Sequence, residues 1–145
     1  MIFLDASAVV KRYFPEVGTE RVAELFARSE PRCSLILLPC ELGSALNRRL
    51  RDGDVSRAVY RTAKERMKAD VDTIEAIPVD HELIGVSLLL LDSHPLKALD
   101  SLYLAAALTL QQSGKEPVLF VSVDRQLLRA AQTEGLKVLD PEKKS

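Results

Sequence analysis

Short apolar runs rich in β-forming residues alternate with longer helical stretches along this chain, and no other feature restricts its possible folds so tightly. The runs are Ile2 to Leu4, Ser34 to Leu38, Thr73 to Val79, Val118 to Val123 and Lys137 to Leu139. Helical patterning falls between them at Ala8 to Phe14, Thr19 to Arg28, Glu41 to Arg51, Val55 to Val71, Asp80 to Leu91, Leu99 to Gln112 and Arg125 to Thr133. Strands separated by helices return in the same direction rather than pairing through tight hairpins. The pattern therefore predicts an α/β fold with a parallel central sheet of about five strands covered by helices. Pro15, Gly18, Pro31, Gly53, Pro78, Pro95, Gly114, Pro117, Gly135 and Pro141 fall at or beside the expected junctions. No linker or repeat breaks the rhythm, so the 145 residues read as one domain over 1–140 with a loose polar tail at 141–145.

Four acidic residues occupy special places in this frame. Asp5 follows the first run, Asp124 follows the fourth, Glu41 lies in the first turn of a helix just after Pro39, and Asp100 stands near the start of the sixth helical segment. Ligands of open α/β sheets sit in the crevice at the carboxyl ends of the strands, where these four would meet. Three of them also have a local explanation. Asp5 can help start a helix, with Ser7 placed to cap one opening at Ala8, and Asp124 can cap the helix that begins at Arg125. Glu41 suits the positive end of a helix whose buried stripe is Leu42, Ala45, Leu46 and Leu50. Asp100 is different, because its helix is apolar almost all round from Leu99 to Leu108 and is expected to be buried. Tyr103, Leu104 and Ala107 share its face and none can neutralise it. An ionised buried carboxylate without a partner costs several kcal/mol. Protonation, pairing with Lys97 or a bound cation would each remove that cost. Taken together the four carboxylates form a hard-oxygen site suited to Mg2+ or Mn2+, ions that activate water and clamp phosphoryl transition states.

Composition narrows the alternatives. Twenty Lys and Arg against 21 Asp and Glu give a formal charge of -1, so any contact with a polyanion has to be a local patch. Two His and two Cys, at His81, His94, Cys33 and Cys40, match no zinc finger or ribbon, and the cysteines read as two buried reduced thiols flanking a strand. Three Tyr, four Phe and no Trp leave too few platforms for a binder that stacks single-stranded bases. The opening Met1 to Asp5 lacks a basic leader and no long apolar run follows, which points to a cytoplasmic protein with no membrane partner.

Four blocks, Asp5 to Tyr13, Glu41 to Leu46, His94 to Leu102 and Ser122 to Leu127, resemble those of the PIN-domain ribonucleases, in particular the VapC toxins of prokaryotic toxin-antitoxin pairs. The resemblance spans most of the chain and implies a Rossmann-like three-layer sandwich. It also implies that Asp5, Glu41, Asp100 and Asp124 are the catalytic metal ligands, with Ser7 and Ser122 hydrogen-bonding the carboxylates or metal waters behind them. Some PIN nucleases carry a further acid just after the last motif, where this chain has Arg125 and Gln126. A homodimer and a cognate antitoxin, its C-terminal segment laid across the cleft, are further implications.

The expected activity is hydrolysis of RNA phosphodiesters by metal-activated water, with Mg2+ as cofactor and Mn2+ as the alternative ion. Arg48, Arg49 and Arg51 after Glu41, with Lys11, Arg12 and Lys97 near the acidic blocks, are placed to hold the phosphate backbone. The helix Val55 to Val71 carries an apolar stripe of Val55, Val59, Ala63 and Met67 and a basic one of Arg57, Arg61, Lys64 and Lys68, the latter read as a solvated face. One rival is a Mg2+-dependent phosphatase or a phosphoacceptor receiver. A phosphatase would want a second Asp where Ser7 stands, and a receiver would want paired acids near its start. The other rival is a PIN-like scaffold that binds RNA or protein without cutting.

Overall fold

The computed structural model describes residues 1–114 and 116–143. Five strands, β1 (Ile2–Leu4), β2 (Arg32–Leu35), β3 (Ile74–Ile77), β4 (Leu119–Val121) and β5 (Lys137–Leu139), form one all-parallel sheet in the order β3-β2-β1-β4-β5. Seven α-helices flank it in a three-layer α/β arrangement: α1 (Ala6–Val9), α2 (Thr19–Ala27), α3 (Leu38–Arg51), α4 (Arg57–Val71), α5 (His81–Ser93), α6 (Ala98–Ser113) and α7 (Arg125–Thr133). Among the described residues no helix is long and apolar enough to cross a membrane.

The order of the strands decides where a site can form. From β1 the chain winds outward through β2 to β3, then crosses back to β4 on the other side of β1 and continues to β5. The crevice between the carboxyl ends of β1 and β4 is therefore the switch point of the sheet. Leu4 pairs with Val121 there, and the ladder runs one residue further, with Asp5 N donating to Val121 O at 3.0 Å.

The core is continuous through the central strands and α6. Phe3 stacks on Phe120 with centroids 5.7 Å apart and meets Tyr103 edge-on at 6.4 Å. Ser101 and every residue from Tyr103 to Ala107 on α6 are buried, as the nearly all-round apolar pattern requires. The small residues Ala105, Ala106 and Ala107 leave α6 room for close packing.

Several expected boundaries move. The second strand is Arg32–Leu35, not Ser34 to Leu38; the chain turns at Ile36 and Leu37 and α3 begins at Leu38. Pro39 sits in the first turn, where its missing N–H breaks no helical bond. Cys40 consequently lies on a helix and is exposed, so only Cys33 is a buried thiol, pushed up to about 11 by burial and by Glu75. The first helix opens at Ala6 rather than Ala8 and tightens into a 3-10 turn over Val10–Arg12. On the apolar stripe of α4 Val59 is 47% exposed, whereas Ala63 and Met67 are buried.

The segment after β5 is held where it is described. Pro141 is buried, and the Glu142 carboxylate reaches Lys11 Nζ at 2.7 Å. Residues 144 and 145 of the expected tail lie outside the described residues. Gly18 fits beneath this segment with φ at 94°, and a Cβ added there would stand 3.1 Å from both Pro141 O and Lys11 Cδ. Gly18→Ala combines left-handed backbone strain with a tight contact on the Pro141 carbonyl, so it is expected to cost about 2 kcal/mol of stability, read from the urea midpoint.

Candidate active site

Asp5 leaves β1 at the switch point and is 3% exposed. Its Oδ2 accepts from Ser7 Oγ at 2.6 Å and from Ser122 Oγ at 2.8 Å. The two serines tie the segments together, because Val123 N donates to Ser7 Oγ and Asp124 N to Ser122 Oγ, both at 3.1 Å. Ser7 is therefore not a helix cap, as a start at Ala8 had suggested; its hydroxyl orients a carboxylate. Both serine bonds end on Oδ2, so the serines fix one oxygen and leave Oδ1 without a side-chain partner among the described residues, while the Ala6 backbone also stabilises the charged carboxylate. Asp124 occupies the N-cap of α7, where its Oδ1 accepts from Leu127 N at 3.0 Å.

Glu41 and Asp100 are positioned differently. Each rises from the first turn of its helix, α3 or α6, and neither side chain has a hydrogen-bond or ion-pair partner among the described residues. Asp100 is half-buried rather than enclosed, and Lys97 is exposed and forms no ion pair with it among the described residues. Ser101 anchors the start of α6 by donating to Ala98 O and meeting Ser87 Oγ on α5 at 2.6 Å.

The four carboxylates share one field. Burial, then Asp5 and Asp100, push Glu41 up to about 7. Burial, then Asp5 and Asp124, push Asp100 up to about 6 against the pull of Lys97. Asp5 is also raised, by burial and more weakly by Asp124, with the two serine hydrogen bonds opposing. Mutual repulsion of this kind disfavours four full charges without a counterion. An oxygen-only donor set under that repulsion fits a hard divalent cation. Among the described residues, however, no three His, Cys, Asp or Glu side chains stand together as a ready metal cage.

Tyr103 completes the neighbourhood and was not singled out by sequence as a site residue, although it lies one helical turn beyond Asp100. It is fully buried, its hydroxyl has no partner among the described residues, and burial, then the charges of Glu41, Asp5 and Asp100, raise its pKa. A buried hydroxyl without a partner costs roughly 1–3 kcal/mol. Tyr103→Phe keeps the ring contacts with Phe3 and removes that penalty, so the metal-free protein should gain about 1 kcal/mol in urea unfolding.

Three of the residues expected to hold RNA are engaged in the fold instead. Lys11 is 6% exposed and pairs with Glu16 and Glu142. Arg12 grips Asp70 through two nitrogens and lies over the Phe26 ring. Arg49 binds Glu16 at 2.8 Å and lies over Phe14. Arg48 and Lys97 are exposed, and neither forms an ion pair among the described residues. His94, left without a role by sequence, joins the approach to α6 to the end of α7 through Glu134 at 2.7 Å.

This architecture has a family. Residues 2–133 match the PIN domain, and the chain belongs to that family. No curated protein matches the chain significantly. A PIN domain generally marks a nuclease, and such domains typically use divalent metal ions.

Proposed function

We propose that the protein is a metal-dependent ribonuclease that hydrolyses RNA phosphodiester bonds and serves as the VapC-type toxin of a toxin-antitoxin pair. The observation that carries this reading is the convergence of Asp5, Glu41, Asp100 and Asp124 on the β1–β4 switch point of a PIN domain. Asp5, Glu41, Asp100 and Asp124 would hold the ion, Mg2+ or Mn2+. Bound there, the ion would supply Lewis acidity toward a phosphoryl oxygen and acidify a water. Ser7 and Ser122 keep Asp5 Oδ2 in place, leaving the second oxygen for the ligand. Glu41 and Asp100, without partners among the described residues, can adjust to a ligand and take up or release protons near neutral pH.

The outer face of α5 supports the expected homodimer or a contact with the cognate antitoxin. Ile84, Leu88 and Leu89 are 42%, 58% and 68% exposed, an apolar cluster that water disfavours. The rival reading is a PIN-like scaffold that binds without cutting. Incubating total RNA with purified protein and Mn2+, beside an EDTA control, decides between them. Metal-dependent fragments support the nuclease. Mn2+ binding and intact RNA, across a range of RNA pools, would leave the scaffold.

A further inference from the structure

A second charged feature lies beside the acidic centre. Arg21, Arg125, Arg129 and Lys143 line one cleft of about 710 Å³ with Gln132 and Asp140. Among the described residues none of the four cations forms an ion pair, in contrast to Lys11, Arg12 and Arg49. Four positive side chains face one carboxylate there, on a chain whose overall charge is -1. Arg125 and Arg129 are one turn apart on α7, and Gln132 extends the stripe to roughly 10 Å of helix. The stripe starts at the residue after Asp124. Leu139 and Asp140, at the carboxyl end of β5, put the cleft on the same edge of the sheet as Asp5.

We propose that this cleft is the track for the RNA backbone, its arginines and Lys143 holding phosphates of a strand that continues into the acidic centre. The inference rests on the ribonuclease reading and replaces Lys11, Arg12 and Arg49 as the principal phosphate contacts. Guanidinium groups match phosphate oxygens with paired hydrogen bonds, and three of the four cations are arginines. The adjoining carboxylates repel phosphate, so an unpaired cationic track next to them supplies the attraction the centre lacks. An acidic protein segment would also meet cations here, but the polar walls and the place of Arg125 directly after Asp124 favour the backbone of the strand to be cut.

The test is fluorescence anisotropy of a labelled oligouridylate across a salt series in EDTA, so that binding is seen without cutting. Arg21→Glu with Arg129→Glu should weaken binding at low salt by roughly tenfold or more and flatten the log–log salt slope by about 1.4, near 0.7 per cation on a single strand. Arg129→Gln alone should flatten it by about 0.7. Arg57→Glu with Arg61→Glu, on the exposed face of α4, should leave both quantities nearly unchanged, and melting curves confirm that each variant is folded. Equal losses in the cleft and α4 variants, no loss in the cleft variants, or a wild type that binds no RNA would overturn the track. So would cleft variants that lose a polyglutamate probe but keep RNA. Wild type that binds RNA through the cleft yet cuts none with Mn2+ would retain the track and remove the nuclease. RNA cutting with unchanged binding in the cleft variants would do the reverse.

Discussion

Asp100→Asn is expected to abolish RNA cleavage and leave the fold intact. Asparagine keeps the size and shape of the side chain but removes the charge that contributes to raising Glu41. Asp100 has no hydrogen-bond or ion-pair partner to lose among the described residues, so the substitution breaks nothing in the metal-free state. The proposed activity would have no such tolerance. Loss of a residue that merely orients a metal ligand costs about 10–100-fold, so loss of a ligand itself should exceed roughly 100-fold in cleavage rate. Rates from a defined RNA substrate with Mn2+, with the melting temperature measured beside them, check both halves. Wild-type cleavage in the variant would mean that the acidic centre does not perform the reaction. Lost cleavage together with lost folding would show Asp100 to be structural.

The two halves of the site are held in different ways. Asp5 and Asp124 are immobilised at strand ends, by two serines and by the α7 backbone respectively. Among the described residues Glu41 and Asp100 stand on helix starts without partners. A fixed pair thus faces a pair that carries no such restraint. The buried Tyr103 hydroxyl and the repulsion among the carboxylates are costs that a folding optimum would not retain.

The sequence made the parallel sheet legible because crossover spacing and strand composition are local properties. β1, β5 and α7 fall where the pattern places them, each closed by a sharp polar or glycine boundary. The Ser34–Leu38 run misled because four consecutive apolar residues, Leu35 to Leu38, carry no period, and only tertiary packing divides them between a strand, a turn and a helix. The places of Asp5, Glu41, Asp100 and Asp124 at strand ends and helix starts were legible for the same local reason. The engagement of Lys11, Arg12 and Arg49 was not, because pairing depends on partners far away in sequence. Arg12 finds Asp70, Lys11 finds Glu142, and Arg49 finds Glu16. Nearness to a motif says nothing about such partners. The cleft made by Arg21, Arg125, Arg129 and Lys143 was hidden for the same reason, since three separate segments contribute to it.

Metal-free protein should be more stable at pH 5 than at pH 8, and a divalent ion should reverse that order. Glu41 rises from 4.5 to about 7 and Asp100 from 3.8 to about 6, so over that window the folded chain holds more protons than the unfolded one. Stability then falls as pH rises through the window, because ionising these groups costs more in the folded state. Both are half-buried and screened by water, which limits the combined effect to roughly 1 kcal/mol. Glu16 acts in the opposite sense: burial alone would raise it, but Arg49 and Lys11 outweigh burial and lower it. Its contribution is lost only as the pH falls below its unfolded value of 4.5, which lies outside the comparison. Mn2+ at a hundredfold excess over its dissociation constant adds about 2.7 kcal/mol at pH 8. At pH 5 Glu41 and Asp100 are largely protonated, so the same ion concentration adds much less. Urea unfolding at the two pH values, with and without Mn2+, should give curves that change order, and Asp100→Asn should flatten the metal-free dependence. Stabilisation by Mn2+ that is the same at both pH values would place the ion somewhere other than these four carboxylates.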